Sequence, residues 1–468
     1  MTGLKQVQRW AIVVSILLVS ASASASPQIG WGYINAVDAP YLAVGDGLVD
    51  DGVAIQKALD DVGNGGGGRV FLPAGVYRVT GHLSIPANTT LSGVFTGPPK
   101  SVRDLWPAPN PTIPKVAGTM LLAFEGKGNP GASPFITLAS YNATLEGLAI
   151  YYPEQITANP PLSYPWTIAL APWPTSGPQT FGAENATIQN VVLVNSFNGI
   201  DLASQPSSRH MIRGVYGQPL RTGIQVDQCW DVGRISDVHF NQLWSSNAAI
   251  ATYQRDNGFA FVFFRTDGEL VHDIVVYGYH VAMLFSKSPL TSPTSKTCFN
   301  IDCSPDMQLT NIYVDGSDVG LDVYDTKPQG ISVTNFAYAN QGTGGSRIGV
   351  LQHAGTRGYV SLTNGKFWGP MQQAVQWSGT GSLSLSNSHV IQWGRRLSGV
   401  LDNTMAAIDI RNGKAMIQNT LFFPQSAPLR GISVSSGDRV MVTGNMMVAN
   451  TIVLWPSAVM TMSSMNQP

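Results

Sequence analysis

Residues Ala43 to Val79 read AVGDGLVDDGVAIQKALDDVGNGGGGRVFLPAGVYRV: an acidic turn, one short helix, a glycine run and then a strand. In DDGVAIQKALDD, Val53, Ile55, Ala58 and Leu59 share one helical face, and Asp50 and Asp51 stand where the helix dipole favours acids. GNGGGG permits a turn closed to bulkier residues, and RVFLPAGVYRV then begins a ladder of strands. Such a helix reads as a cap over the first layer of a stack, where an open edge would otherwise accept strands from another chain. Its acids are therefore read as structural.

What is stacked follows from internal periodicity. Short alternating segments recur as TIALAP from Thr167, GIDLAS from Gly199, GIQVDQ from Gly223, AIATYQ from Ala249, AMLFSK from Ala282 and GLDVYD from Gly320. They continue as RIGVLQ from Arg347, AVQWSG from Ala374, AIDIRN from Ala407 and GISVSS from Gly431. Each reads as one strand, anchored at equivalent positions such as Ile200, Ile224, Ile250, Leu321 and Ile348, at intervals of roughly 24 to 38 residues. A second set lies between them, including ATIQNVVLV from Ala186, RISDVHF from Arg234 and MQLTNIYVDG from Met307. Each coil thus carries at least two strands, and stacking coils at about 4.8 Å places each apolar residue over its equivalent. The expected fold is an all-β parallel β-helix with an N-terminal capping helix. Ile200 and Leu202, or Leu321 and Val323, point inward, and Asp201 or Asp322 points outward.

Composition agrees. Of 468 residues, 44% are hydrophobic and 12% charged, enough for a large core, while the net charge of −1 offers no field to recruit nucleic acid. Lys5 and Arg9 precede the apolar run AIVVSILLV, and Ala21, Ala23 and Ala25 offer small-residue cleavage sites, so residues 1–25 read as an export signal. Residues 26–468 then form a single domain with no further membrane-spanning stretch, secreted or periplasmic. Of three cysteines, Cys298 and Cys303 are close enough in sequence to pair, leaving Cys229 as a buried thiol. No cofactor or metal signature is legible, although calcium's scattered oxygen ligands leave that ion open. No self-association code distinguishes a monomer from a homotrimer.

AVGDGLVDDGVAIQKAL followed by GGGGRVFLPAGVYRV resembles the N-terminal signature of the pectate-lyase-like right-handed parallel β-helix superfamily, in the group related to polygalacturonase-type glycoside hydrolases and phage tailspikes. The resemblance covers residues 36–95, the cap and first coils; the later coils, to about residue 455, agree only in pattern. It implies a polymeric sugar as partner and a hydrolase, lyase, epimerase or transferase as activity. The NTD, paired-aspartate, GHG and RIK motifs of polygalacturonases are not intact here, so no catalytic role is carried over.

Candidate chemistry concentrates in the middle coils. Asp237 and Asp273 fall at the same corner as Asn190, Asn311, Asn335, Asn364, Asn387 and Asn419, a place for a short polar side chain that bonds neighbouring backbone. Asp227 follows GIQV at a strand end where no structural rule demands an acid, Asp256 lies one coil on, and Asp267 with Glu269 would share a face if extended. Two carboxylates about 5–10 Å apart suit glycosidic hydrolysis, one as acid and the other as base or nucleophile. Hydrolysis is the leading expectation, with Asp227, Glu269, Asp256 and Asp267 as its catalytic candidates. Arg221 and Arg255 can bond sugar, Trp230 and Tyr253 can stack on it, and His280, in the histidine-rich stretch Arg209–His280, with Lys287, Tyr324 and Asp325 at strand ends, are further substrate-binding candidates. A second expectation is a lyase on a uronic-acid polymer, which needs the substrate carboxylate neutralised and its C5 proton removed by a base; Arg221, Arg255, His280, Lys287 and Tyr253 form its kit. A third is a noncatalytic carbohydrate-binding or adhesion module.

Overall fold

The computed structural model describes residues 32–97, 118–172, 182–289, 303–340, 347–425, 429–436, 439–447, 451–454 and 460–462. The expected signal segment and Cys298 lie outside these residues. Cys303 is disulfide-bonded and Cys229 is a buried free thiol, in line with the sequence reading.

The chain winds into a parallel β-helix. Each regular coil carries one long strand and one short strand: Thr187–Leu193 then Asn198–Leu202, Met211–Gly217 then Thr222–Val226, Arg234–Phe240 then Phe259–Phe263, and Glu269–Tyr277 then Val281–Phe285. Coil-to-coil pairing is parallel, with Ile168, Ile200, Ile224, Phe261, Met283 and Leu321 stacked in one column. All six are buried, because alternation sends one side of every strand into the lumen.

The long strands bend at the predicted corner, which turns two strands per coil into three faces. Asn190, Asp237, Asp273, Asn311, Asn335, Asn364, Asn387 and Asn419 all take left-handed φ values, from 50° to 59°. Asn and Asp tolerate that region because a short polar side chain can bond locally. Here the side chains also bond each other: Asn311 Nδ2 donates to Asp273 Oδ1 at 2.8 Å, and Asn335 Nδ2 to Asn311 Oδ1 at 2.9 Å.

Helix α1, Gly52–Asn64, closes the N-terminal end through Ile55, Ala58, Leu59 and Val62. Val53, expected on that face, is 80% exposed instead, because at 100° per residue it lies about 160° from Ile55, on the side opposite the buried residues. Asp51 is structural, as expected, but its side chain does not cap the helix. It accepts from the backbone N–H groups of Val44 at 2.6 Å and Gly45 at 3.1 Å, tying down the preceding turn. After the helix, Gly68 has a φ of +149°, and a Cβ there would lie 2.1 Å from the Gly32 carbonyl oxygen.

Two sequence assignments are corrected. The AIATYQ segment is not a strand but part of helix α2, Ala248–Asn257, whose Asn247 cap accepts a hydrogen bond from the Ala249 N–H at 2.8 Å. The strand of that coil is Phe259–Phe263, so Phe261 rather than Ile250 occupies the column. Val350, not Ile348, pairs with Leu321; alternation alone does not separate two registers that differ by two residues.

Candidate functional site

The third face, made by the short strands, positions two polar clusters, one at each end of its strands. Parallel pairing stacks the residues that precede these strands, because each N–H bonds back to the carbonyl of the coil before. Phe259 N bonds to Arg221 O at 2.7 Å, Val319 N to His280 O at 2.9 Å and Ile348 N to Asp318 O at 2.9 Å. His280, Asp318 and Arg347 therefore occupy consecutive coils about 4.8 Å apart. His280 Nδ1 lies 3.5 Å from Asp318 Oδ2. Asp318 raises the His280 pKa, against the opposing effect of burial. Burial in turn raises Asp318, and His280, Arg255 and Arg347 oppose that rise. Helix α2 brings Arg255 to this cluster from its last turn. The local balance is cationic in a chain whose net charge is near zero.

At the other end of the strands, Asp322 points outward as the alternation predicts, and His353 of the next coil covers it. His353 Nε2 is 2.6 Å from Asp322 Oδ1. Tyr324, 40% exposed, stacks on the His353 ring with centroids 4.1 Å apart. Burial and the nearby Asp322 raise the Tyr324 pKa, which keeps the phenol protonated. A carboxylate oxygen only accepts, so Nε2–H donates to Asp322 and Nδ1 is the ring nitrogen turned away from it. An imidazole stacked beside a phenol is a combination suited to acid–base chemistry.

Two cavities flank these clusters. One of about 290 Å³ opens beside α2, lined by Gln242, Arg255, Tyr277 and Asp315. Another of about 410 Å³ lies further along the third face, lined by Gln376, Asp402, Thr404, Asp409 and Arg411. The coils after residue 405 thus contribute part of an elongated polar surface.

The carboxylates expected to hydrolyse sugar do not meet on that surface. Asp227 has no exposed area; it accepts from the N–H groups of Gln228 at 2.7 Å and Arg265 at 3.1 Å and from the Ser288 hydroxyl at 2.5 Å. Burial raises its pKa to about 6, against those three hydrogen bonds. Asp256 is exposed near the end of α2, before the strand Phe259–Phe263, while Asp227 follows the far end of the paired strand Thr222–Val226. A five-residue strand separates them by about 16 Å, too far for a carboxylate pair. Glu269 is fully buried, whereas Asp267 is partly exposed and paired with Arg265 and Lys327. The expected shared face fails because Gly268 between them has a φ of +79° and is not extended.

Of the binding candidates, Arg221 is exposed, with its guanidinium 5.8 Å from the Phe197 ring centroid. Tyr253 is buried against Phe197, and Trp230 is half-buried beneath Arg265. Lys287 is exposed, and Asp325 is paired with Arg357. The structure brings Arg255 and His280 together and sets Tyr324 on His353. Sequence reasoning did not select His353, Asp318, Asp322 or Arg347. Asp322 was legible as an outward acid, and His353 directly follows a strand end, but their contact depends on coil register. No metal signature was legible either, yet His210, Cys229 and Glu269 converge within the core from three different coils.

Residues 33–103 match the family described as rhamnogalacturonase A/epimerase, pectate lyase-like. A mannuronan C5-epimerase of Azotobacter vinelandii, AlgE1, is 45% identical over 62 residues, which are 12% of this chain and 4% of that protein. Alginate lyase 7 of the same organism is 56% identical over 62 residues, 12% of this chain and 7% of that protein. The matched stretch is thus a small part of either relative. Among solved structures, the DFA-IIIase of Arthrobacter chlorophenolicus A6 aligns with a TM-score of 0.53 at 11% identity, covering 94% of this chain and 100% of that one. The fold shared with that solved structure is a right-handed parallel β-helix. Among the described residues, no helix is long and apolar enough to cross a membrane.

Proposed function

We propose that this chain is a polysaccharide lyase that removes the C5 proton of a uronate residue and cleaves the chain by β-elimination. The observation that carries the reading is the His353–Asp322 pair with Tyr324 stacked on it, on the same face as the cationic group His280 and Arg255. The buried state of Asp227 and Glu269 weighs against hydrolysis.

Arg255 and His280, at the opposite end of the strands, bind the carboxylate of a neighbouring uronate unit and hold the polymer on this face. His353 Nδ1 takes the C5 proton of the unit beside it. The electron pair forms the C4–C5 double bond, the C4–O bond breaks, and Tyr324 protonates the departing oxygen. The extended polar surface suits a polymer, and the names of the matched relatives make alginate and mannuronan the first substrates to try. The apolar N-terminal run supports a secreted or periplasmic location, where such polymers occur.

Incubating the mature chain with mannuronan, mixed alginate and pectate in deuterated water tests this. New reducing ends together with the ultraviolet absorbance of unsaturated sugars support elimination. Deuterium at C5 with unchanged chain length would make it an epimerase, new reducing ends without unsaturation a hydrolase, and binding with neither a noncatalytic module.

A further inference from the structure

Within the β-helix, three successive coils carry a buried column that holds ionisable side chains. Arg234 N bonds to His210 O at 3.0 Å and Leu270 N to Gly233 O at 3.1 Å, so His210, Gly233 and Glu269 stack in three successive coils. The backbones of His210 and Glu269 are about 9.6 Å apart. Their side chains meet only because the residue between them has none. A Cβ on Gly233 would lie 2.2 Å from His210 Cε1 and 2.5 Å from Glu269 Oε2. Cys229, from the coil of Gly233, brings its Sγ to the same point, and the ligand atoms of the three residues lie within 4.8 Å of one another. All three are essentially inaccessible to solvent.

The arrangement exceeds what packing asks of a core position, where an aliphatic side chain would avoid burying ionisable groups. His210 Nδ1 is 2.7 Å from the Ser207 carbonyl oxygen, so its proton is committed there and Nε2 faces the cluster. A bond from the far ring nitrogen to a carbonyl is the kind that orients a metal-ligating imidazole. Nε2 is 2.8 Å from Glu269 Oε1, while Glu269 Oε2 is buried without a hydrogen-bond partner. A proton between Nε2 and Oε1 satisfies that pair and leaves Oε2 unsatisfied.

We propose that His210, Cys229 and Glu269 form a closed structural site for a thiophilic divalent cation of the zinc class. An imidazole, a thiolate and a carboxylate suit zinc, and Oε2 supplies the fourth donor. Thiolate, carboxylate and a divalent ion sum to zero charge, as an apolar lumen requires. Binding releases the thiol proton, which the Asp231 carbonyl otherwise accepts, and the ion enters as the coils close, joining three of them.

Metal analysis of the purified full chain, with refolding in zinc, in cobalt and in chelator, tests the proposal. It expects about one zinc per chain, a thiolate-to-cobalt charge-transfer band after cobalt refolding, and a lower thermal midpoint after refolding in chelator. Cys229→Ser should abolish the band and cut occupancy at least about tenfold while circular dichroism stays that of a β-helix. Glu269→Gln provides a second variant if the first misfolds, with the same loss of occupancy. A metal-free chain that gives no cobalt band and the same midpoint in zinc and in chelator would overturn it, leaving a proton to hold His210 and Glu269.

Discussion

His353 Nε2 lies 2.6 Å from Asp322 Oδ1 across one coil step, and the same ring stacks on Tyr324 at 4.1 Å. If His353 is the base, His353→Ala should lower kcat by about 10²–10⁴-fold with little change in KM or thermal midpoint. Tyr324→Phe should lower kcat with KM nearly unchanged. Initial rates on alginate check both, and full turnover by the Tyr324→Phe protein would remove the phenol from the chemistry.

His280 gives a pH dependence of definite sign. Asp318 raises its pKa, so the cation persists above the usual histidine range and is lost as pH rises through that raised value. KM for a polyuronate should therefore increase across that window. Asp318→Asn removes the stabilising carboxylate and should move the increase to lower pH. A KM profile identical in both proteins would detach His280 from substrate binding.

The corner column is expected to be costly to break. Asn311 has a φ of 57°, accepts from Asn335 and donates to Asp273. Asn311→Ala should destabilise by about 1–2 kcal/mol from the left-handed backbone alone, plus the lost bonds. Asn311→Gly should recover the backbone part. Chemical denaturation of the three proteins tests this; equal losses for Ala and Gly would place the whole cost in the ladder.

Gly233→Ala inserts a methyl into space held by His210 and Glu269. Overpacking of a closed column should cost at least about 1–3 kcal/mol. A thermal midpoint equal to that of the parent chain would show that His210 and Glu269 move apart freely.

The solenoid is legible in the chain before any coordinates. Period-two alternation requires a lumen, the recurring GID, GIQ and GLD segments require stacked coils, and the Asn/Asp corner stands out because only a few residue types tolerate a left-handed backbone. The capping helix is equally legible, and its acids brace a turn. Helix α2 escaped because AIATYQ alternates like its neighbours, and only the Asn247 cap and the pairing of Phe259–Phe263 separate the two readings. The site was legible in parts. Arg255 and Tyr324 stood out at polar strand ends and His280 in a histidine-rich stretch, but Asp227 and Glu269 stood out as well, and alternation does not reveal which of these residues turn back into the core. That Asp322 meets His353, and His210 meets Glu269 across Gly233, came from the three-dimensional winding. These contacts join residues 31 and 59 positions apart in sequence, and their distance depends on loop lengths and register, which set which coil lies above which.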